Sequence, residues 1–270
     1  MSFSIAGKTA IVTGAANGVG LAIARHFVDR GANVVFADMD EERLAEEVGD
    51  IAENEDSNVR IFAGDLREKL TIANLLSATI DAFEQVDILV NASRQMMASD
   101  PLDPEGDAVA SLIDQNLMTS LRLTQAIAKR MIKQAETDGR EGEPAGAIIN
   151  LSSIAARRAH PELLGYSVSC AALDQMTRSM AVALARDRIR INAVAFGSVM
   201  SASLRDTLRD DDESRADIVA HTPLNRIARA KEVAEAVQFL ASDAAAFMTG
   251  QIVTIDGGRT LLDSVNAPAH

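Results

Sequence analysis

The sequence predicts an α/β protein built on a doubly wound parallel sheet, and three observations carry that expectation. Short β-rich runs alternate with longer helical patterns from one end of the 270-residue chain to the other. The strand-like runs are apolar enough to be buried on both faces, as strands of a helix-covered parallel sheet are. The composition agrees: 47% is apolar but only 3% aromatic, with no Trp, so the core must be made of Ala, Val, Ile and Leu.

Taken in order, Lys8–Thr13 reads as the first strand and Val19–Arg30 as the helix that follows it. Asn33–Asp38 and Asp40–Glu53 repeat the pattern, then Asn58–Ala63 with Arg67–Phe83, and Val86–Asn91 with the long pattern Ala108–Glu136. The second half continues with Ala147–Leu151 and Tyr166–Arg186, Arg190–Ala195 and Lys231–Ser242, and a last strand at Gln251–Ile255. Strand then helix, repeated about six times, implies right-handed crossovers and seven parallel strands with helices on both faces. No repeat or Pro/Gly-rich linker divides the chain, so residues 1–260 read as one domain and 261–270 as a tail. Two segments look irregular. Thr137–Gly146 is a solvated loop, and Val199–Pro223 is long enough to be a lid. Its acidic run Asp210-Asp211-Asp212-Glu213 reads as solvated surface.

A net charge of −13 argues against nucleic acid and against an anionic membrane surface. The N-terminus lacks the apolar core of a signal peptide, and no apolar run approaches the roughly 18 residues of a membrane span. A cytoplasmic location is expected. Cys170 is the sole cysteine, so there is no intrachain disulfide, and His26, His160, His221 and His270 show no ligand spacing. No metal site is expected.

The chemistry begins after the first strand, where Thr13-Gly14-Ala15-Ala16-Asn17-Gly18-Val19-Gly20 leads into a helix. Glycines let the backbone approach an anion, and the helix start offers unpaired N–H groups and a positive dipole end. The order strand, turn, helix gives the pattern its weight. Asp38 closes the second strand, 20 residues after Gly18, where a carboxylate accepts hydrogen bonds from adenosine ribose hydroxyls and repels a 2′-phosphate. The expectation is NAD rather than NADP. The competing reading has Asp38 only capping the helix that begins at Asp40.

These residues resemble the classical short-chain dehydrogenase/reductase family, over nearly the whole chain. The resemblance rests on the Thr13-Gly14-xxx-Gly18-x-Gly20 turn, Asp65 in Ala63-Gly64-Asp65-Leu66, Asn116 in Ile113-Asp114-Gln115-Asn116, Ser153 placed 13 residues before Tyr166, and Asp256-Gly257-Gly258. It implies a Rossmann fold and an NAD(P)-dependent oxidoreductase that moves a hydride between nicotinamide and a secondary alcohol or ketone. The roles it implies are catalytic for Asn116, Ser153, Tyr166 and the position that Cys170 occupies. Asn116 would hold a water in the proton relay, Ser153 polarise the substrate oxygen, and Tyr166 exchange the proton. Around the cofactor it implies Gly14, Asn17, Gly18, Val19, Gly20, Asp38, Asp65, Leu66, Asn91, Ala92, Tyr166, Val199 and Ser201. It also implies a homo-oligomer, a tetramer or else a dimer, packed through the two long helices and the last strand.

Three departures stand out. The family's lysine four residues after the tyrosine, which lowers the phenol pKa from about 10 and grips the nicotinamide ribose, is Cys170 here. A thiol carries no positive charge, and each pKa unit of lost tyrosinate stabilisation is about tenfold in the reactive fraction. The usual Asn-Asn-Ala-Gly after the fourth strand is Asn91-Ala92-Ser93-Arg94, and the usual proline-glycine after the sixth is Phe196-Gly197. Two functions therefore stay open: an oxidoreductase with a weakened or rearranged relay, or a cofactor-binding relative with little activity, such as a partner subunit. Arg94 is either a replacement cation or an arginine directed to solvent or a cofactor phosphate. Arg157 and Arg158 read as surface charges, Cys170 as a packed thiol, and Met96, Met97, Met200 and Phe196 as either substrate-pocket or packing residues.

Overall fold

The computed structural model describes residues 2–52, 54, 56–98, 100–103, 108–139, 142–201, 204–205, 208–209 and 211–263. Glu53, Asp210 and residues 264–270 of the expected tail lie outside them. The strands are β1 (Thr9–Thr13), β2 (Asn33–Asp38), β3 (Val59–Ala63), β4 (Ile88–Asn91), β5 (Gly146–Ser153), β6 (Ile189–Phe196) and, after two short segments named below, β9 (Ile252–Ile255). They pair in parallel in the order β3-β2-β1-β4-β5-β6-β9, with Ile11 opposite Val35 on one side and Leu89 on the other. The sequence order reverses between β1 and β4. In such a sheet the crevice outside the strand C-termini at that reversal is where ligands bind.

Alternation along each strand feeds two cores. Ala10, Val12, Val34 and Phe36 join one cluster with Phe27 of α1 (Gly18–Asp29), while Ile11, Val35 and Leu89 join the other with Leu75 of α3 (Lys69–Phe83). Between those helices in the chain lies α2 (Glu41–Ala52). Each fully buried Val, Leu, Ile or Phe contributes about 1.5–3 kcal/mol, so two such layers hold the strand ends in register. The buried residues of α1, Leu21, Ala24 and Phe27 among them, recur at helical spacing and face the same cluster as Val233, Ala234 and Val237 near the C-terminus.

Two expectations need correction. The pattern Ala108–Glu136 is not one α-helix. It runs as α4 (Val109–Leu112), a π-helical stretch at Ile113–Met118, and α5 (Thr119–Thr137). Within it the Thr119 hydroxyl donates to the Asp114 carbonyl and the Ser120 hydroxyl to the Asn116 carbonyl. A widened turn leaves the apolar period almost unchanged, so the sequence pattern does not register it. After α6 (Leu164–Leu184), the segment Val199–Pro223 is not irregular throughout. Val199–Met200 (β7) pairs in parallel with Ala228–Arg229 (β8), and Asp212–Ala220 forms α7. Part of the acidic run starts that helix. The Asp211 side chain accepts from Ser214 N at 2.9 Å, with Asp212 and Glu213 in the first turn, where negative charge is favourable. The last helix is α8 (Ala230–Ala241), whose Glu232 accepts from Arg229 N at 2.8 Å and pairs with Arg226.

Candidate active site

The first turn is built by close approach. A Cβ on Gly20 would fall 2.0 Å from the Gly14 carbonyl oxygen, and one on Gly14 would meet Ala92 and Ser93 at 2.8 Å. Gly14 and Gly18 both have positive φ, which an L side chain resists. Asn17 leads into α1 in an extended conformation, and its side chain caps none of the first-turn amides. Those amides have no partners within the helix. Here is a glycine-lined cradle with outward-facing donors, and it fits the diphosphate of a dinucleotide. Thr13 ties the cradle to the next strand, because its hydroxyl oxygen accepts from Ala92 N and Ser93 N at 3.0 Å. That role was not read from the sequence.

Asp38 does not cap the helix that follows β2; Asp40 does, its side chain accepting from Arg43 N at 3.1 Å. One Asp38 oxygen accepts from Met39 N and Asp40 N, ahead of α2, and the other accepts from Ala16 N at 3.0 Å, inside the turn. The carboxylate is therefore fixed beside the cradle at the end of β2. Asp65 is held by a bidentate contact with Arg67, whose guanidinium keeps its pKa below the usual carboxylate range. Leu66 and Ala92 are buried, as is Asn91, whose amide donates to Asn150 and Thr124. Val19 is half-buried on the helix start. Val199 is buried, and Ser201 stands over the cradle with its Cβ 3.8 Å from the position a Cβ on Gly18 would take.

At the C-terminal ends of β4, β5 and β6 the remaining expected residues converge. Tyr166, in the first turn of α6, is 4% exposed, and Ser153 at the end of β5 is 8% exposed. The Ser153 hydroxyl also accepts from Ala155 N, which sets the sharp exit of the chain from the strand. Burial pushes the phenol pKa up, the neighbouring Cys170 adds to the rise, and Arg94 and the Ser153 hydroxyl oppose it. Cys170 is buried with Tyr166, Ala108 and Leu112, and burial raises its pKa too, so it is a packed neutral thiol.

Arg94 does not run out to solvent. Its guanidinium carbon lies 4.1 Å from the Phe196 ring centre and 5.8 Å from that of Tyr166, and Nη1 donates to the Ser152 carbonyl at 2.9 Å. Asn116 clamps the adjacent residue from the π-helical stretch. Its carboxamide accepts from Gln95 N at 2.8 Å and donates to Gln95 O at 2.9 Å, with a further bond to Ser169 Oγ at 3.1 Å. Phe196 is buried beneath the arginine, whereas Met96 and Met97 are exposed. Arg157 and Arg158 are exposed as expected, and reach the last strand and the C-terminal turn at Thr254 and Thr260. Among the described residues no group of three His, Cys, Asp or Glu side chains could hold a metal ion, and no helix is long and apolar enough to cross a membrane.

A family model described as enoyl-(acyl carrier protein) reductase matches residues 14–260, from the glycine cradle to the C-terminal turn. The chain belongs to the short-chain dehydrogenase/reductase family. It is 33% identical over 270 residues to oxidoreductase UcpA of Salmonella typhimurium, covering 97% of this chain and 98% of that one. It is 34% identical over 270 residues to cis-4-hydroxycyclohexanecarboxylate dehydrogenase of Sinomonas cyclohexanicum, with 96% and 99% covered. A solved 7α-hydroxysteroid dehydrogenase, complexed with NADH and 7-oxo glycochenodeoxycholic acid, superposes with a TM-score of 0.85 at 28% identity, covering 95% of this chain and 96% of that one. The seven-stranded Rossmann-type sheet is the fold of such neighbours, and the chain is an NAD(P)-dependent oxidoreductase of this family. The relatives are dehydrogenases and oxidoreductases by name, which favours the enzyme over the non-catalytic alternative.

Relative to that family, sequence reasoning missed Asp174, which is buried one turn beyond Cys170 on the face of α6 that carries Tyr166. Positions 166, 170 and 174 are four apart, so the spacing alone could have found it. Burial raises its carboxyl pKa, opposed by the Ser152 hydroxyl and by Arg157 and Arg178.

Proposed function

We propose that this dehydrogenase/reductase is NAD-dependent and interconverts a secondary alcohol and its ketone, with residues 1–260 acting as one catalytic unit in the cytoplasm. The observation that supports it best is the pairing of two features at one sheet edge. A glycine cradle with Asp38 fixed beside it lies at β1 and β2, and Ser153 and Tyr166 stand together at β5 and α6. Bound across that edge, the nicotinamide supplies or accepts hydride at C4. Gly14, Asn17, Gly18, Val19 and Gly20 hold the diphosphate, while Asp38 takes the ribose hydroxyls and disfavours a 2′-phosphate. Asp65 and Leu66 border the adenine, Asn91 and Ala92 border the middle of the cofactor, and Val199 and Ser201 border the nicotinamide.

Tyr166 exchanges the substrate proton. Ser153 donates to the substrate oxygen and stabilises the charge that develops there. Asn116 holds the loop after β4 against α6 and orders the relay behind the phenol. Burial favours the protonated phenol, the form that donates to the substrate oxygen when a ketone is reduced. Exposed Met96 and Met97 give the cleft mouth an apolar lip for the substrate carbon skeleton. We also propose a homotetramer, or otherwise a dimer.

Calorimetric titration with NADH and NADPH separately tests the cofactor assignment, followed by a screen of ketones and alcohols. NADH is expected to bind at least about tenfold more tightly, and Asp38→Ala to narrow the gap. Equal affinity for both in the wild type overturns the choice of NAD. If neither binds, the whole reading falls.

A further inference from the structure

We propose that Arg94 is the cation that governs the proton affinity of Tyr166, delivering from the loop after β4 the positive charge that α6 does not carry at position 170. The inference rests on the reading of Tyr166 as the proton-exchanging group. A phenol buried to this depth has lost the water that would stabilise its anion, so it needs a fixed positive charge to ionise. The Arg94 guanidinium lies between the rings of Phe196 and Tyr166, at 4.1 and 5.8 Å from their centres. It is locked there rather than reaching there by chance. Nη1 is bonded to the Ser152 carbonyl at the end of β5, and the carboxamide of Asn116 grips both backbone groups of Gln95. An arginine is well suited to the place, since its planar head stacks on aromatic faces and does not deprotonate.

The other groups around the phenol leave this task to Arg94. On α6, Cys170 is neutral and works against the phenolate, and Asp174, a turn further on, has a carboxyl raised by burial. From the π-helical stretch, Asn116 is uncharged and Asp114 pairs with Arg122 at 3.3 Å. From the turn after β5, Arg157 and Arg158 are directed to Thr254 and Thr260, and exposed His160 receives the Glu162 amide. The adjoining end of β6 contributes Phe196. Arg94 acts on Tyr166 and on Cys170 alike, which is the electrostatic reach of a cation seated between them. Its occupation of a position where backbone would otherwise come close to the cofactor, together with an uncharged residue 170, makes the two departures halves of one rearrangement.

The chain offers a direct readout, because Tyr166 is its only tyrosine and there is no tryptophan. The near-ultraviolet tyrosinate absorbance of the full chain without cofactor therefore titrates one group. The expected result is that the wild-type phenol ionises before the protein unfolds. Arg94→Met is expected to lower the phenolate fraction at a given pH at least about tenfold, and Arg94→Lys to hold it within about threefold of wild type. The pH profile of turnover should move in the same direction. Arg94→Gln gives the same comparison if the methionine variant does not fold, and Cys170→Lys placed in either background should restore the titration. A midpoint unchanged in Arg94→Met or Arg94→Gln overturns the proposal, as does a wild-type phenol that stays protonated until the chain unfolds. An intact Arg94-dependent midpoint in a protein that turns over no alcohol or ketone would instead sink the proposed function and leave the coupling standing.

Discussion

Asp174 shows how a single side chain two turns from Tyr166 sets a pH dependence on the whole fold. It is 4% exposed, and one of its carboxyl oxygens has no hydrogen-bond partner among the described residues. Burial raises its pKa above the ordinary carboxylate range. A carboxyl raised on folding contributes its stability in full below the unfolded pKa and loses it as the pH climbs through the folded one. Asp174→Asn keeps the shape and removes the charge. At neutral pH the variant should therefore be more stable than wild type by on the order of 1 kcal/mol, with no advantage below the pKa of the unfolded carboxyl. Thermal denaturation across that range checks it; an advantage at acid pH and none at neutral would show the carboxylate to be stabilising. The same surroundings keep Cys170 a thiol, so neither neighbour on α6 offers the phenol a positive charge.

At the scale of elements, the turn between β1 and α1 is the piece on which the proposed cofactor site depends. Its geometry tolerates no side chain at Gly20, where a Cβ would lie 2.0 Å from backbone oxygen of Gly14. Flexible side chains can yield to such a contact, but backbone cannot yield without opening the turn. Gly20→Ala is expected to weaken NADH binding at least about a hundredfold while costing the fold about 1–3 kcal/mol, because the two hydrophobic layers around β1 are untouched. Binding calorimetry and a melting curve on one sample separate the two effects. Unchanged affinity would mean that the cradle does not hold the diphosphate. The π-helical stretch before α5 plays a comparable part at the other end of the cleft, since it turns Asn116 toward Gln95 and so fixes the loop that carries Arg94.

For the whole molecule, the proposal of an oligomer draws on the exposed end of the sheet. β9 is the edge strand beyond β6 and is only half-buried throughout. Phe247 and Leu261 stand almost fully exposed, and so does Val182 on α6, whose neighbour Ala181 packs beside Gly250. An edge strand with uncovered apolar neighbours is a ready pairing surface. Sedimentation of the wild type should give a tetramer or dimer, and the double variant Phe247→Asp with Leu261→Asp should give a smaller species. Identical sedimentation of the two would remove this end of the sheet from the interface.

Much of this protein was legible in the sequence because its signals are local. Apolar runs of strand length, glycines where φ is positive, and a carboxylate closing β2 depend only on neighbouring residues. They indicated the seven-stranded parallel sheet and the glycine turn, whereas Ser153 and Tyr166 were picked out by resemblance to the family. The same resemblance exposed the absence of a lysine at Cys170 and the presence of Arg94. What it could not determine was direction. Whether Arg94 ran to solvent or turned inward depended on Phe196, Ser152 and Asn116, which lie 102, 58 and 22 positions away along the chain. The same holds for the π-helical turn and for α7, whose weak apolar period left it reading as loop. Side-chain direction is decided by contacts between segments, and only the packed structure brings those segments together.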